Sequence, residues 1–84
     1  MTEAEVYAEL TRLFRQVFRN ETIVLDAGSS AATIAGWDSF KFVEIIVTIE
    51  GLYDIEIDAL ELDELENVGD LVGVVLRRTA AKAG

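Results

Sequence analysis

The chain has no cysteine and no histidine, and these two absences remove many of the commoner chemistries. Without cysteine there is no disulfide, no thiol nucleophile and no thiolate metal site. Without histidine the commonest general base and metal ligand are missing. Long apolar runs are also missing. The longest stretch free of polar side chains is Leu71 to Leu76, too short to cross a bilayer. The amino end, Met1-Thr2-Glu3-Ala4-Glu5, is acidic and lacks the basic start and apolar centre of a signal peptide. A soluble cytoplasmic protein, not bound to a membrane, is the expectation. Positive charge is scarce, with seven bases against sixteen acids and a net charge of −9. Between Asp38 and Asp70 lie eleven acids and one base, Lys41. Arg12, Arg15 and Arg19 cluster near the amino end, and Arg77, Arg78 and Lys82 near the other. An acidic middle speaks against nucleic-acid binding and for basic protein partners reached by electrostatic steering.

What remains is enough for one small folded unit. Eighty-four residues, 51% of them hydrophobic, bound a single domain over residues 1–84 with one core. The organisation is helical. Thr2-Glu3-Ala4-Glu5 fits a capping box. Val6, Leu10, Leu13 and Val17 then form one apolar stripe over roughly Glu3 to Phe18. From about Arg19 to Trp37 there is no sustained period. This connection is long for so small a domain, which marks a functional loop. Ile23, Leu25 and Ile34 are its expected anchors.

A second helix is expected from about Asp38 to Tyr53. On a wheel of about 100° per residue, Phe42, Ile45, Ile46, Ile49, Leu52 and Tyr53 share one arc, the expected core face. Phe40, Val43 and Val47 share the opposite side, flanked by Glu44 and Glu50. An apolar ridge edged with carboxylates and turned from the core fits a docking face, with apolar contact and acidic steering. Gly51 and Asp54 weaken the helix near Tyr53. Ile55-Glu56-Ile57-Asp58 alternates like a strand, but no second strand is available to pair with it. A loop and a short helical turn near Ala59 to Leu65 are expected instead. Asn67 then caps a last helix with Asp70 in its first turn and a buried stripe of Val68, Leu71, Val72, Val75 and Leu76. Asp54-Ile55-Glu56-Ile57-Asp58 also imitates the start of a calcium loop. It fails at the sixth position, Ala59, and the twelfth, Leu65, so no metal site is expected.

The most informative stretch is Gly36-Trp37-Asp38-Ser39-Phe40, which sets a serine at the opening of the second helix. Helix starts offer unpaired N–H groups and tolerate phosphate, although Asp and Ser are also ordinary N-caps. Asp38-Ser39-Phe40 followed by Val43-Glu44 resembles the Asp-Ser-Leu signature of acyl and peptidyl carrier proteins. The resemblance runs from Gly36 to about Leu76. It implies an all-α four-helix bundle with a short third helix and a long loop between helices 1 and 2. It implies no catalytic residue and a non-enzymatic role, the presentation of thioester-bound acyl or aminoacyl groups to partner enzymes. Ser39 matches the serine that carries 4′-phosphopantetheine, and Asp38 the acid before it. A separate phosphopantetheinyl transferase, with coenzyme A and a divalent metal, would attach the arm. Phe40, Val43, Glu44, Val47 and Glu50 match partner-contacting positions, for loading and processing enzymes with basic docking surfaces. The implied state is a monomer. Trp37, Phe40, Lys41, Gly51 and Asp58 depart from the commonest family pattern and leave the cargo open between acyl, malonyl-type and aminoacyl groups. The alternative is an acidic helical interaction module without a covalent cofactor.

Overall fold

The computed structural model describes residues 2–83, the last of them by its backbone alone. Four helices follow in order: α1 (Glu3–Phe18), α2 (Ser39–Tyr53), α3 (Ala59–Glu64) and α4 (Val68–Ala83). There is no strand among the described residues, and Ile55 to Asp58 is the loop expected from its lack of a pairing partner.

The start of α1 is fixed by a reciprocal cap. Glu5 N–H donates to Thr2 Oγ1 at 3.2 Å, and Thr2 N–H donates to Glu5 Oε1 at 2.8 Å. The bond from the Thr2 backbone holds the Glu5 carboxyl below the ordinary glutamate range. At the other end Arg19 adopts a left-handed conformation, φ 52°, and closes the helix. The expected stripe is buried at Val6, Leu10 and Leu13 and half-buried at Val17. Phe14, one turn after Leu10, is fully buried as well.

α1 packs against both α2 and α4. Ile45, Ile46 and Ile49 of α2 are buried, with Phe42 and Tyr53 half-buried beside them. Leu52 corrects the expected core arc, because it is 53% exposed. It sits at the edge of that arc near the end of α2. Across from it α1 presents Glu5, Ala8 and Glu9, and Ala8 is too short to cover a leucine. Each of the fully buried aliphatic side chains contributes about 1.5–3 kcal/mol over its exposed state.

The long loop is ordered by its anchors. Ile23, Leu25 and Ile34 are buried, and Arg15 Nε donates to the Ile23 carbonyl at 2.8 Å. The loop then seals the start of α4. Val68 N–H donates to the Ser29 carbonyl at 2.8 Å and Gly69 N–H to the Ala27 carbonyl at 3.0 Å. Asp70 N–H donates to Asn67 Oδ1 at 2.9 Å, the expected cap. In α4, Val68, Leu71, Val72 and Val75 are buried, Leu76 is half-buried, and Val74 joins the core.

α3 buries no residue fully. It is held from its flanks: Arg78 of α4 pairs with Glu61 and lies 3.7 Å from Asp58. Lys82 pairs with Asp54 and holds that carboxyl below the ordinary aspartate range.

Candidate functional site

Ser39 is the first residue of α2, as the sequence suggests, and Asp38 is its cap rather than part of the helix. Asp38 Oδ1 accepts the Lys41 N–H at 2.8 Å. The N–H groups of Ser39 and Phe40 find no partner among the described residues. The start of α4 is closed by three hydrogen bonds, whereas the start of α2 is left largely open. Open N–H groups and the positive end of the helix dipole favour a phosphate there.

The chain has three serines, and their hydroxyls differ in availability. Ser29 is buried, accepts the Asp26 N–H at 2.9 Å and lies 3.3 Å from Asp26 Oδ1. Ser30 Oγ accepts the Ala32 N–H at 3.2 Å. The Ser39 hydroxyl is exposed and has no hydrogen-bond partner among the described residues.

Two residues behind Ser39 fix its place. Trp37 meets Phe14 edge-on with ring centres 5.2 Å apart and stacks on Phe42 at 6.1 Å. Lys41 Nζ donates to the Val17 carbonyl at 3.2 Å, joining the end of α1 to the start of α2. The sequence marks both residues as departures from the family pattern without revealing these contacts. Beside Ser39 lies a groove of about 300 Å³, lined mainly by Trp37, Phe42, Leu65 and Leu71, with Asp38 and Glu66 at its polar edge. The far wall comes from Leu65, Glu66 and Asn67 of the segment joining α3 to α4 and from Leu71 at the head of α4. The sequence gives no local signal for this juxtaposition.

The outer ridge of α2 is present. Phe40 is 82%, Val43 58% and Val47 60% exposed. The Glu44 side chain is exposed beside them. Glu50 is half-buried, and its Oε2 accepts the Ile57 N–H at 2.9 Å. Its carboxylate therefore braces the loop after α2 as well as flanking the ridge.

A free serine hydroxyl at an open helix head, with an apolar groove alongside, suits a phosphate-linked arm. The family model for the phosphopantetheine attachment site matches residues 8–75. The chain belongs to the phosphopantetheine-binding carrier family. A solved structure agrees with this carrier closely: the holo acyl carrier protein from Geobacter metallireducens, determined in solution by NMR, is similar with a TM-score of 0.87 and 42% identity. That similarity covers 92% of this chain and 88% of the other. No match was found among curated proteins. The chain is thus a carrier protein with a covalent 4′-phosphopantetheine arm. When bound, the arm supplies a terminal thiol that holds acyl groups as thioesters. Carriers of this family work with phosphopantetheinyl transferases and biosynthetic enzymes. No helix among the described residues is long and apolar enough to cross a membrane.

Proposed function

We propose that Ser39 is the attachment position and that residues 1–84 act as one monomeric carrier domain of the cytoplasm. The observation that carries this reading is that Ser39, alone among the three serines, has an uncommitted hydroxyl at an open helix start. In the modification step Ser39 Oγ attacks the phosphorus of coenzyme A that bears the pantetheine. A phosphodiester forms, adenosine bisphosphate leaves, and the hydroxyl proton passes to a base on the transferase. Asp38 keeps the helix start in register by holding the Lys41 N–H. The open N–H groups of Ser39 and Phe40, at the positive end of the α2 dipole, would favour the new negative charge.

The chain's own residues make and break no bond in the cargo, so the role is presentation and not catalysis. Tethering raises the local concentration of cargo at whichever enzyme docks, so brief and weak docking suffices. Phe40, Val43 and Val47 supply apolar contact, and Glu44 and Glu50 draw in the basic docking surfaces of the transferase and of loading and processing enzymes. Cargo is an acyl or aminoacyl group.

Intact mass after incubation with coenzyme A and a broad-specificity phosphopantetheinyl transferase tests the assignment. The parent is expected to gain a single stoichiometric addition and Ser39→Ala none. Addition to Ser29 or Ser30 would sink it.

A further inference from the structure

Rings stand in series behind the groove. Phe42 and Trp37 line it, and Phe14, fully buried, closes the space behind the indole at 5.2 Å between ring centres. Phe18 adds a second ring at 6.3 Å from Trp37 and stacks on Phe14 at 5.6 Å. Packed interiors have few voids, so an indole backed by two rings cannot retreat toward the core. The way inward between α1 and α2 from Ser39 is therefore shut.

The open space that remains is small. About 300 Å³ is the low end of the range for ligand sites. It equals roughly ten waters' share of liquid volume. An arm rooted at Ser39 runs through this groove first, and its branched and amide segments take up space of that order. Little apolar surface is then left for a long chain.

We propose that Trp37 is a specificity-determining residue for cargo length: with the indole in place, the carrier shelters its arm with a short acyl or aminoacyl group and leaves a long acyl chain in water. The inference rests on Ser39 bearing the arm. A sheltered chain stabilises the folded state by preferential interaction with it, so melting reports shelter directly. A merely structural role for Trp37 would lower the melting of every loaded form alike. A specificity role alters how melting depends on chain length.

The experiment loads the parent and Trp37→Ala with acetyl, butyryl, octanoyl and dodecanoyl groups from the corresponding coenzyme A thioesters. Loading is verified by intact mass and followed by thermal melting. In the parent all four forms are expected to melt within about 1 °C of one another, small against the 4–8 °C of a substantial stabilisation in a domain of this size. In Trp37→Ala the dodecanoyl form is expected to melt about 4 °C or more above the acetyl form. If Trp37→Ala does not fold, Trp37→Leu takes its place, and the parent series is decisive by itself. Trp37 is the only tryptophan, so its emission gives a second readout. In the parent it should change on arm attachment and not with chain length beyond butyryl. A parent dodecanoyl form that melts well above the acetyl form overturns the inference alone, as does a folded Trp37→Ala without length dependence. A parent that gains no mass at all overturns the attachment reading and this inference with it.

Discussion

Gly69 and Ala27 touch backbone to backbone. The Gly69 N–H donates to the Ala27 carbonyl at 3.0 Å, and a Cβ on Gly69 would lie 3.0 Å from that same oxygen and from the Ala27 Cβ. The contact closes the start of α4 with the loop that leads to Ser39. Gly51 is the opposite case, an exposed glycine inside α2 with nothing within 4 Å of its added Cβ.

The two glycines should therefore respond with opposite signs to the same substitution. Gly69→Ala is expected to destabilise by about 1–3 kcal/mol, through overpacking against backbone that cannot move aside. Gly51→Ala is expected to stabilise by about 0.5–1 kcal/mol, from helix propensity alone. Denaturant midpoints measure both. Shifts of the same sign would contradict the packing described at one of the two sites.

Ile49 and Val47 sit two residues apart on opposite faces of α2. Ile49 is fully buried, and Val47 is 60% exposed. Ile49→Ala should cost about 2–5 kcal/mol, and Val47→Ala about 0.5 kcal/mol or less. Comparable losses in denaturant melts would mean that the outer ridge is covered.

Glu44 and Glu50 should separate docking from stability. Glu50→Ala removes the acceptor for the Ile57 N–H and should cost roughly 1–3 kcal/mol, whereas Glu44→Lys should leave the melt unchanged. Glu44→Lys should slow phosphopantetheinylation at low ionic strength through the association rate, and added salt should shrink the difference. Phe40→Ala should slow it with little salt dependence, because apolar contact is not screened. Modification of folded Glu44→Lys at the parent's rate in low salt would remove the steering role.

Tyr53 offers a test by pH. Its hydroxyl oxygen is buried without a hydrogen-bond partner, and burial pushes the phenol above the ordinary tyrosine range. A pKa raised in the folded state gives stability that is fully present below the unfolded value of about 10 and is lost as pH rises toward the folded one. Tyr53→Phe should be as stable as the parent at neutral pH, or about 1 kcal/mol more so, since a buried unpaired hydroxyl is lost. It should also lose less stability than the parent above about pH 10. Burial raises Tyr7 as well, so part of the alkaline loss should persist. A large destabilisation of Tyr53→Phe at neutral pH would mean that the hydroxyl has a partner.

The helices were legible because each is announced locally. Thr2, Asp38, Asp58 and Asn67 each accept a backbone N–H in the first turn of the helix that follows, and apolar spacing marks the faces. Ser39 was legible because its place at a helix start needs only neighbours in sequence. The exposure of Leu52 is not legible in the sequence, because a wheel describes one helix and not the length of the side chains facing it; Ala8 leaves that flank bare. The Lys41 contact with Val17 spans 24 positions, and the groove joins α2 to the head of α4, so neither leaves a local trace. Glu50 looked like its neighbour Glu44 in sequence, and only the returning loop distinguishes them.

Lys41 is the sole base among the acids between Asp38 and Asp70, and its ammonium is turned to the carbonyl end of α1. Nothing on the ridge of Phe40, Val43 and Val47 then offsets the carboxylate of Glu44. Two copies meeting ridge to ridge bring like charges together within the screening length of about 8–10 Å, where repulsion is still felt. A surface of the other sign would meet no such barrier on this greasy strip, so the carboxylate that would hold identical copies apart would draw an unlike partner in.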